Sequence, residues 1–201
     1  VAFTAPNPVA TTLLVDAVLG PLEVRATGAN NAIDVGPGSS NSASLLQVDN
    51  QAYVEFSNKT ALKVDAGAGA DVVDLHLGVQ NGLLAALAPL AVDGGGGDDT
   101  MTAQDGLETL LAMIFRGGEG NDRLTVGGML HGGSGDDVLT GGPGTNILNG
   151  NEGNDTLIGG SGDNTLNGDS GNDTLLGGPA NNVYAGGSGV DTILISGTSD
   201  P

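Results

Sequence analysis

A large apolar residue recurs at every ninth position near the C-terminal end of the chain, from Leu139 to Ile193. Small and polar residues, above all glycine, aspartate and asparagine, fill most of the positions between. Repetition at one fixed period predicts a solenoid, in which every repeat adds one more piece of the same small structure. The predicted core residues are Leu139, Leu148, Leu157, Leu166, Leu175, Tyr184 and Ile193.

Residues 132–194 divide into seven consecutive nonapeptides of the pattern GGxGxDxUx, where U is the large apolar residue. Positions 1 to 6 have to turn sharply, which glycine allows because it adopts positive φ readily. Positions 7 to 9 form a short strand whose middle side chain points inward. The units are GGSGDDVLT, GGPGTNILN, GNEGNDTLI, GGSGDNTLN, GDSGNDTLL, GGPANNVYA and GGSGVDTIL.

These nonapeptides resemble the repeats of the RTX family, secreted bacterial proteins whose repeats bind calcium and form a parallel β-roll. The resemblance implies that two nonapeptides complete one turn, so that equivalent loops stack every 18 residues. It also implies that calcium lies between neighbouring loops, and that the chain is exported unfolded and folds outside the cell.

Position 6 alternates strictly between aspartate and asparagine. With two repeats per turn, the alternation places the aspartates on one edge of the roll and the asparagines on the other. We therefore expect one calcium-binding edge and one stacked amide ladder that needs no metal, whereas both edges usually bind calcium in the family. The alternative is that asparagine also ligates calcium, through its side-chain carbonyl. The aspartates are Asp137, Asp155, Asp173 and Asp191, and the asparagines are Asn146, Asn164 and Asn182.

Interrupted copies of the motif begin at Gly117, Gly94 and Ala66 and extend the aspartate series upstream. The steps between successive aspartates are 28, 23, 15, 18, 18 and 18 residues. Each step can be one turn if the extra or missing residues lie on the opposite edge. Seven stacked loops enclose six gaps and hence up to about six calcium ions. The predicted ligands are Asp71, Asp99, Asp122, Asp137, Asp155, Asp173 and Asp191.

The expected fold is all-β, a right-handed parallel β-roll or β-solenoid with irregular N-terminal β turns. One degenerate unit, 28–33, resembles the metal-free unit that contains Asn182. An insertion near Asp105 allows either a short helix running through Met113 or a bulging strand. The predicted regions are an irregular N-terminal part at 1–65 that continues into the solenoid, interrupted turns at 66–131, the regular roll at 132–194 and a tail at 195–201.

Composition narrows the chemistry further. The chain has 24 acidic and 5 basic side chains, and its formal charge of -19 disfavours nucleic acid and anionic membranes as partners. Cysteine is absent, so thiolate metal sites are excluded, and the abundant oxygen donors favour a hard cation such as calcium. No apolar run approaches the roughly 20 residues of a membrane span, so no membrane insertion is expected.

Known catalytic signatures are missing: the sequence has no HExxH helix, cysteine nucleophile, GxSxG elbow or P-loop lysine. We therefore expect a non-enzymatic protein, and the resemblance to the RTX family implies that it is secreted, extracellular or bound to the cell surface. The first candidate role is structural, as a matrix, fibre or surface-layer subunit. Homo-oligomers or filaments would then form through open solenoid ends or through an outward stripe of Ile158, Leu176 and Leu194. The second is a secretion and folding module of a larger hydrolase, toxin or adhesin.

Overall fold

The chain is built from strands that coil into two facing sheets. None of the residues in the ranges given below lies in a helix, and the apolar core lies between the sheets. The all-β solenoid predicted from the repeats is therefore confirmed. The computed structural model describes residues 2–4, 13–16, 20–26, 28–37, 43–48, 54–57, 59–75, 89–103 and 113–195.

The first sheet contains nine strands in the described part of the chain, all paired in parallel. Neighbouring strands come from successive turns, as a solenoid requires. In order across the sheet they are β1 (Ala2–Thr4), β3 (Gly20–Arg25), β7 (Lys59–Asp65), β9 (Leu90–Gly96), β11 (Met113–Glu119), β13 (Met129–Ser134), β15 (Asn146–Glu152), β17 (Asn164–Ser170) and β19 (Asn182–Ser188).

The second sheet contains eleven strands over the same described ranges. Its pairing is parallel except at β4–β5 and β5–β6, which are antiparallel. In order across the sheet they are β2 (Leu13–Asp16), β6 (Val54–Ser57), β5 (Ala43–Val48), β4 (Ala32–Pro37), β8 (Val72–Leu75), β10 (Thr100–Ala103), β12 (Arg123–Thr125), β14 (Val138–Thr140), β16 (Thr156–Ile158), β18 (Thr174–Leu176) and β20 (Thr192–Leu194).

The ninth-position apolar residues form the core, because each lies at a strand position whose side chain points between the two sheets. Leu139, Leu157 and Leu175 stack in register in the second sheet and are fully buried. Burial of each leucine contributes about 1.5–3 kcal/mol. Tyr184 is partly buried against this core, whereas Ile193 remains 44% exposed because no described strand lies beyond β20.

The irregular aspartate spacings upstream each correspond to one turn, as expected. Val73 pairs with Met101, Met101 with Leu124, and Leu124 with Leu139, so the core column of the second sheet continues without a break. The extra residues of the longer turns lie between β8 and β9 and between β10 and β11. In the short turn, β12 is joined to β13 by three residues, 126–128.

Strand β4 joins the N-terminal region to the solenoid, because Ile33 pairs in parallel with Val73. The antiparallel strands β5 and β6 then interrupt the parallel order. Met113 begins strand β11, so the helix alternative does not extend to this residue, and residues 104–112 lie outside the described ranges. Within those ranges, no helix has the length and apolar character needed to cross a membrane.

Candidate metal centre

The seven predicted aspartate ligands form one column, which we call the aspartate edge. Each aspartate directly precedes a strand of the second sheet, so the parallel register of those strands stacks the loops. Six of the seven are only 1% exposed; the exception, Asp191, lies in the last described turn and is partly exposed. The fold therefore stacks aspartates from successive turns, and neighbours in the column are 15 to 28 residues apart in the sequence.

Each carboxylate after the first accepts a hydrogen bond from the aspartate of the preceding turn. The backbone N–H of Asp137 donates to Oδ1 of Asp155, and that of Asp155 donates to Oδ1 of Asp173, both at 2.8 Å. The same bond links all seven residues, at 2.7 to 3.0 Å. These bonds fix the orientation of the carboxylates, because each Oδ1 is tied to the neighbouring backbone.

The second carboxylate oxygen, Oδ2, is buried and lacks a hydrogen-bond partner in five consecutive turns. It points into its own loop: a Cβ added to Gly132 would overlap Asp137 Oδ2 and would lie 2.7 Å from the carbonyl oxygen of Gly150. Two acceptor oxygens from adjacent turns thus face one small space. An unsatisfied buried acceptor costs about 1–3 kcal/mol, and more when it is charged. The five residues are Asp99, Asp122, Asp137, Asp155 and Asp173.

The oxygen-only surroundings fit a calcium ion. Calcium takes six to eight oxygen ligands, both carboxylate and backbone carbonyl, in flexible geometry. No group of three or more acidic or histidine side chains converges within the described ranges, so backbone carbonyls have to supply part of any coordination shell. The residues suited to hold an ion are two successive aspartates and the first glycine of the later loop, for example Asp137, Asp155 and Gly150.

Burial makes these carboxylates reluctant to ionise. It raises the pKa of Asp99 and of Asp137 to about 7 and the pKa of Asp155 to about 6, and neighbouring carboxylates add to the effect. The backbone hydrogen bond from the preceding turn opposes it. The pKa values of Asp122 and Asp173 are raised for the same first reason, burial. The carboxylates of the aspartate edge therefore need a compensating positive charge, which either a cation or bound protons can supply.

The opposite edge carries the predicted amide ladder, which we call the asparagine edge. There, Asn146 Nδ2 takes the place of the carboxylate Oδ2 and donates to Gly144 O at 2.8 Å, Gly159 O at 2.9 Å and Asn164 Oδ1 at 2.8 Å. Asn164 Nδ2 donates in turn to Asn182 Oδ1 at 3.0 Å. A nitrogen donor thus occupies the position that an Oδ2 without a hydrogen-bond partner takes on the aspartate edge.

Upstream of Asn146 the same column becomes apolar, which the sequence analysis did not foresee. Gly128 precedes Asn146 in the column and donates its N–H to Asn146 Oδ1 at 2.9 Å. The earlier turns place buried hydrophobic side chains there instead of any oxygen donor. These side chains are Leu22, Leu62, Leu90 and Met113.

An outer ladder at position 5 was also missed. On the aspartate edge, Asp98 Oδ1 accepts the backbone N–H of Asn121, and Asn121 Oδ1 accepts that of Asp136, both at 2.8 Å. Asp136 Oδ1 accepts the N–H of Asn154 at 2.7 Å, and Asn154 Oδ1 that of Asn172 at 2.9 Å. These side chains are exposed and join neighbouring loops from outside. The sequence feature that could have revealed this outer ladder is the recurrence of Asp or Asn at position 5.

Comparison with known families agrees with this geometry. The sequence profile of the RTX calcium-binding nonapeptide repeat matches the chain in four copies, over residues 92–110, 114–128, 129–157 and 158–193. Six of the seven aspartates lie inside these copies, and Asp71 precedes them. No individual curated protein is similar enough to the chain to match it.

Replacing Asp155 by alanine is expected to lower the number of bound calcium ions by about two, because Asp155 borders two gaps. Asn164→Ala is expected to leave the number unchanged. Asp136→Ala is the matched control, since it removes a carboxylate from the exposed outer ladder of a neighbouring turn. Calcium equivalents are measured by isothermal titration calorimetry. Equal calcium loss in Asp155→Ala and Asn164→Ala would contradict a one-edge array.

Acidification is expected to order the calcium-free protein. The folded-state pKa values of about 6 to 7 exceed the unfolded value of 3.8, so the folded chain binds more protons between these limits. This stabilisation is complete below the unfolded pKa and is lost as the pH rises through about 6 to 7. Far-UV circular dichroism in chelator at about pH 5 and about pH 8 measures it. Greater order at the higher pH would show that the buried carboxylates do not control folding.

Proposed function

Since the chain belongs to the RTX calcium-binding nonapeptide repeat family, we propose that it is an extracellular, non-enzymatic β-roll that folds when calcium binds. The observation that carries the proposal is the row of buried carboxylate oxygens without partners in five consecutive turns. Calcium bound there supplies positive charge and cross-links adjacent turns. The calcium ions lie on the aspartate edge alone, up to about six of them in the gaps between seven aspartates.

The chain's own residues oppose folding in the absence of such ions. Its formal charge is -19, and the most buried carboxylates lie directly above one another. The core is narrow, with one fully buried leucine per strand in the regular turns, such as Leu157 and Leu166. Because hydrophobic burial per turn is small, binding free energy has to complete the stability of the fold. A low-calcium cytoplasm would keep the chain unfolded for export, and external calcium would fold it.

We propose a structural role at the cell surface or in an extracellular matrix, supported first by an apolar stripe on the second sheet. Ile158 pairs with Leu176, and Leu176 with Leu194, so these outward side chains form a continuous row. Leu194 is 47% exposed, and the other two are half-buried. Such a row on an acidic roll suits side-by-side association of copies.

A second apolar row lies on the outer face of the first sheet. Ile114 pairs with Met129, and Met129 with Ile147, which is 38% exposed. Thr165 follows Ile147 in the same column, and Val183, one turn further, is 63% exposed. Because each sheet offers one apolar row, a copy of the chain could contact neighbours on both faces, as a fibre or layer subunit requires.

A calcium titration followed by circular dichroism and light scattering tests the proposal. We expect little β signal in chelator at neutral pH, a cooperative gain on calcium addition, and particle growth at higher calcium. Leu176→Ser is expected to slow particle growth while leaving the circular dichroism gain intact, and Thr174→Ser on the same strand serves as its control.

Equally ordered spectra with and without chelator would refute calcium-coupled folding. A folded monomer that persists at high calcium would instead favour the alternative role, a secretion and folding module of a larger RTX hydrolase, toxin or adhesin.

A further inference from the structure

We propose that the side-chain amide of Asn31 ends the calcium array at Asp71 by serving as a built-in substitute for the ion. The inference rests on the proposed function, since it presumes calcium between the aspartates. It assigns a role to a residue that lies outside the nonapeptides matched to the family, whose first copy begins at residue 92.

Asn31 occupies the turn that precedes Asp71 on the aspartate edge. Strand β4 follows Asn31 as β8 follows Asp71, and the two strands pair with Ala32 opposite Val72. The backbone N–H of Asn31 donates to Asp71 Oδ1 at 2.5 Å, as each later aspartate does to its successor. Asn31 is 3% exposed, so it is a true member of the buried column.

The amide nitrogen of Asn31 fills the gap that separates it from Asp71. It donates to Asp71 Oδ1 at 3.1 Å, to the carbonyl oxygen of Ala66 at 3.2 Å and to that of Ala29. Ala66 opens the next loop, and Ala29 lies two residues before Asn31. One side-chain nitrogen therefore contacts the carboxylate and two carbonyls around this gap.

The asparagine edge uses the same three contacts. Asn164 Nδ2 donates to Asn182 Oδ1 in the next turn, to Gly177 O at the start of the next loop, and to Gly162 O two residues earlier. The acceptors correspond one to one with those of Asn31. An arrangement that recurs on both edges reflects the chemistry of asparagine at position 6 rather than local irregularity.

Aspartate at the same position leaves the gap between two turns without a hydrogen-bond donor. Asp99 Oδ2 is buried without a partner, and a Cβ added to Gly94 would lie 2.6 Å from Gly117 O beside it. Oxygen then faces oxygen where the amide would have donated. The two side chains have the same shape, so one atom decides whether a gap needs a cation.

The amide of Asn31 has two consequences for calcium binding. The gap between Asn31 and Asp71 remains free of calcium, as does the asparagine edge, so the array is limited to the six gaps between Asp71 and Asp191. In addition, the contact between Asn31 and Asp71 needs no ion, so the chain's own atoms close the first turn of the array at its N-terminal end.

The test is Asn31→Asp, with Asn30→Asp as the matched control. Both variants add one negative charge in the same loop, but Asn30 is exposed and belongs to the outer ladder, where its Oδ1 accepts the N–H of Ala70 at 3.1 Å. Calcium equivalents by equilibrium dialysis and far-UV circular dichroism during a calcium titration are measured for both. We expect Asn31→Asp to bind about one more ion than wild type and to need more calcium to fold, and Asn30→Asp to match wild type in both.

Asn164→Asp keeps the proposal testable if Asn31→Asp does not fold. It should also add about one ion, compared with Asn167→Asp on the outward face of the same strand. Unchanged calcium counts in Asn31→Asp, or in Asn164→Asp when the first variant does not fold, would overturn the inference. If wild type itself binds no calcium, the proposed function fails too; if wild type binds up to about six ions and the asparagine variants gain none, only the amide substitute fails.

Discussion

The structure depends on buried carboxylate oxygens that face carbonyl oxygens of the next turn. Five consecutive turns of the aspartate edge repeat this unfavourable arrangement, for example Asp137 and Gly150. The backbone hydrogen bond to Oδ1 fixes the position of each carboxylate without neutralising Oδ2. Stacking the turns therefore needs a compensating positive charge, which calcium would supply under the proposed function.

The two edges of the roll fill the space between successive turns with different chemical groups. Asparagine at position 6 donates to the surrounding carbonyls, and the earlier turns of that edge bury hydrocarbon such as Leu90 instead. Both solutions remove the need for a cation. The protein is consequently asymmetric across its width, since one side stacks buried carboxylates that need a compensating positive charge and the other is held by hydrogen bonds and apolar packing.

Much of the fold was predictable because a strict period fixes the register. The steps between aspartates identified one turn each, even where 28 or 15 residues separate them, since only the loop on the other edge changes length. The amide ladder followed from the parity of Asn146 and Asn164. The antiparallel strands β5 and β6 could not be found in this way, because they lie outside the repeat and are set by tertiary pairing.

The missed parts of the site share a physical cause. The unit around Asn31 looked metal-free, but its place above Asp71 depends on the long connection through residues 38–65, whose path no period specifies. The apolar residues opposite the aspartate edge, such as Leu62, carry no motif, because any hydrophobic side chain of suitable size satisfies that position. The outer ladder escaped notice because exposed Asp and Asn are ordinary surface residues.

An anomalous difference map from a crystal grown with calcium tests the central claim most directly. The account predicts peaks between successive aspartates from Asp71 to Asp191, and none beside Asn146, Asn164 or Asn182. Peaks along the asparagines, or an ordered aspartate edge without any bound cation at neutral pH, would contradict it.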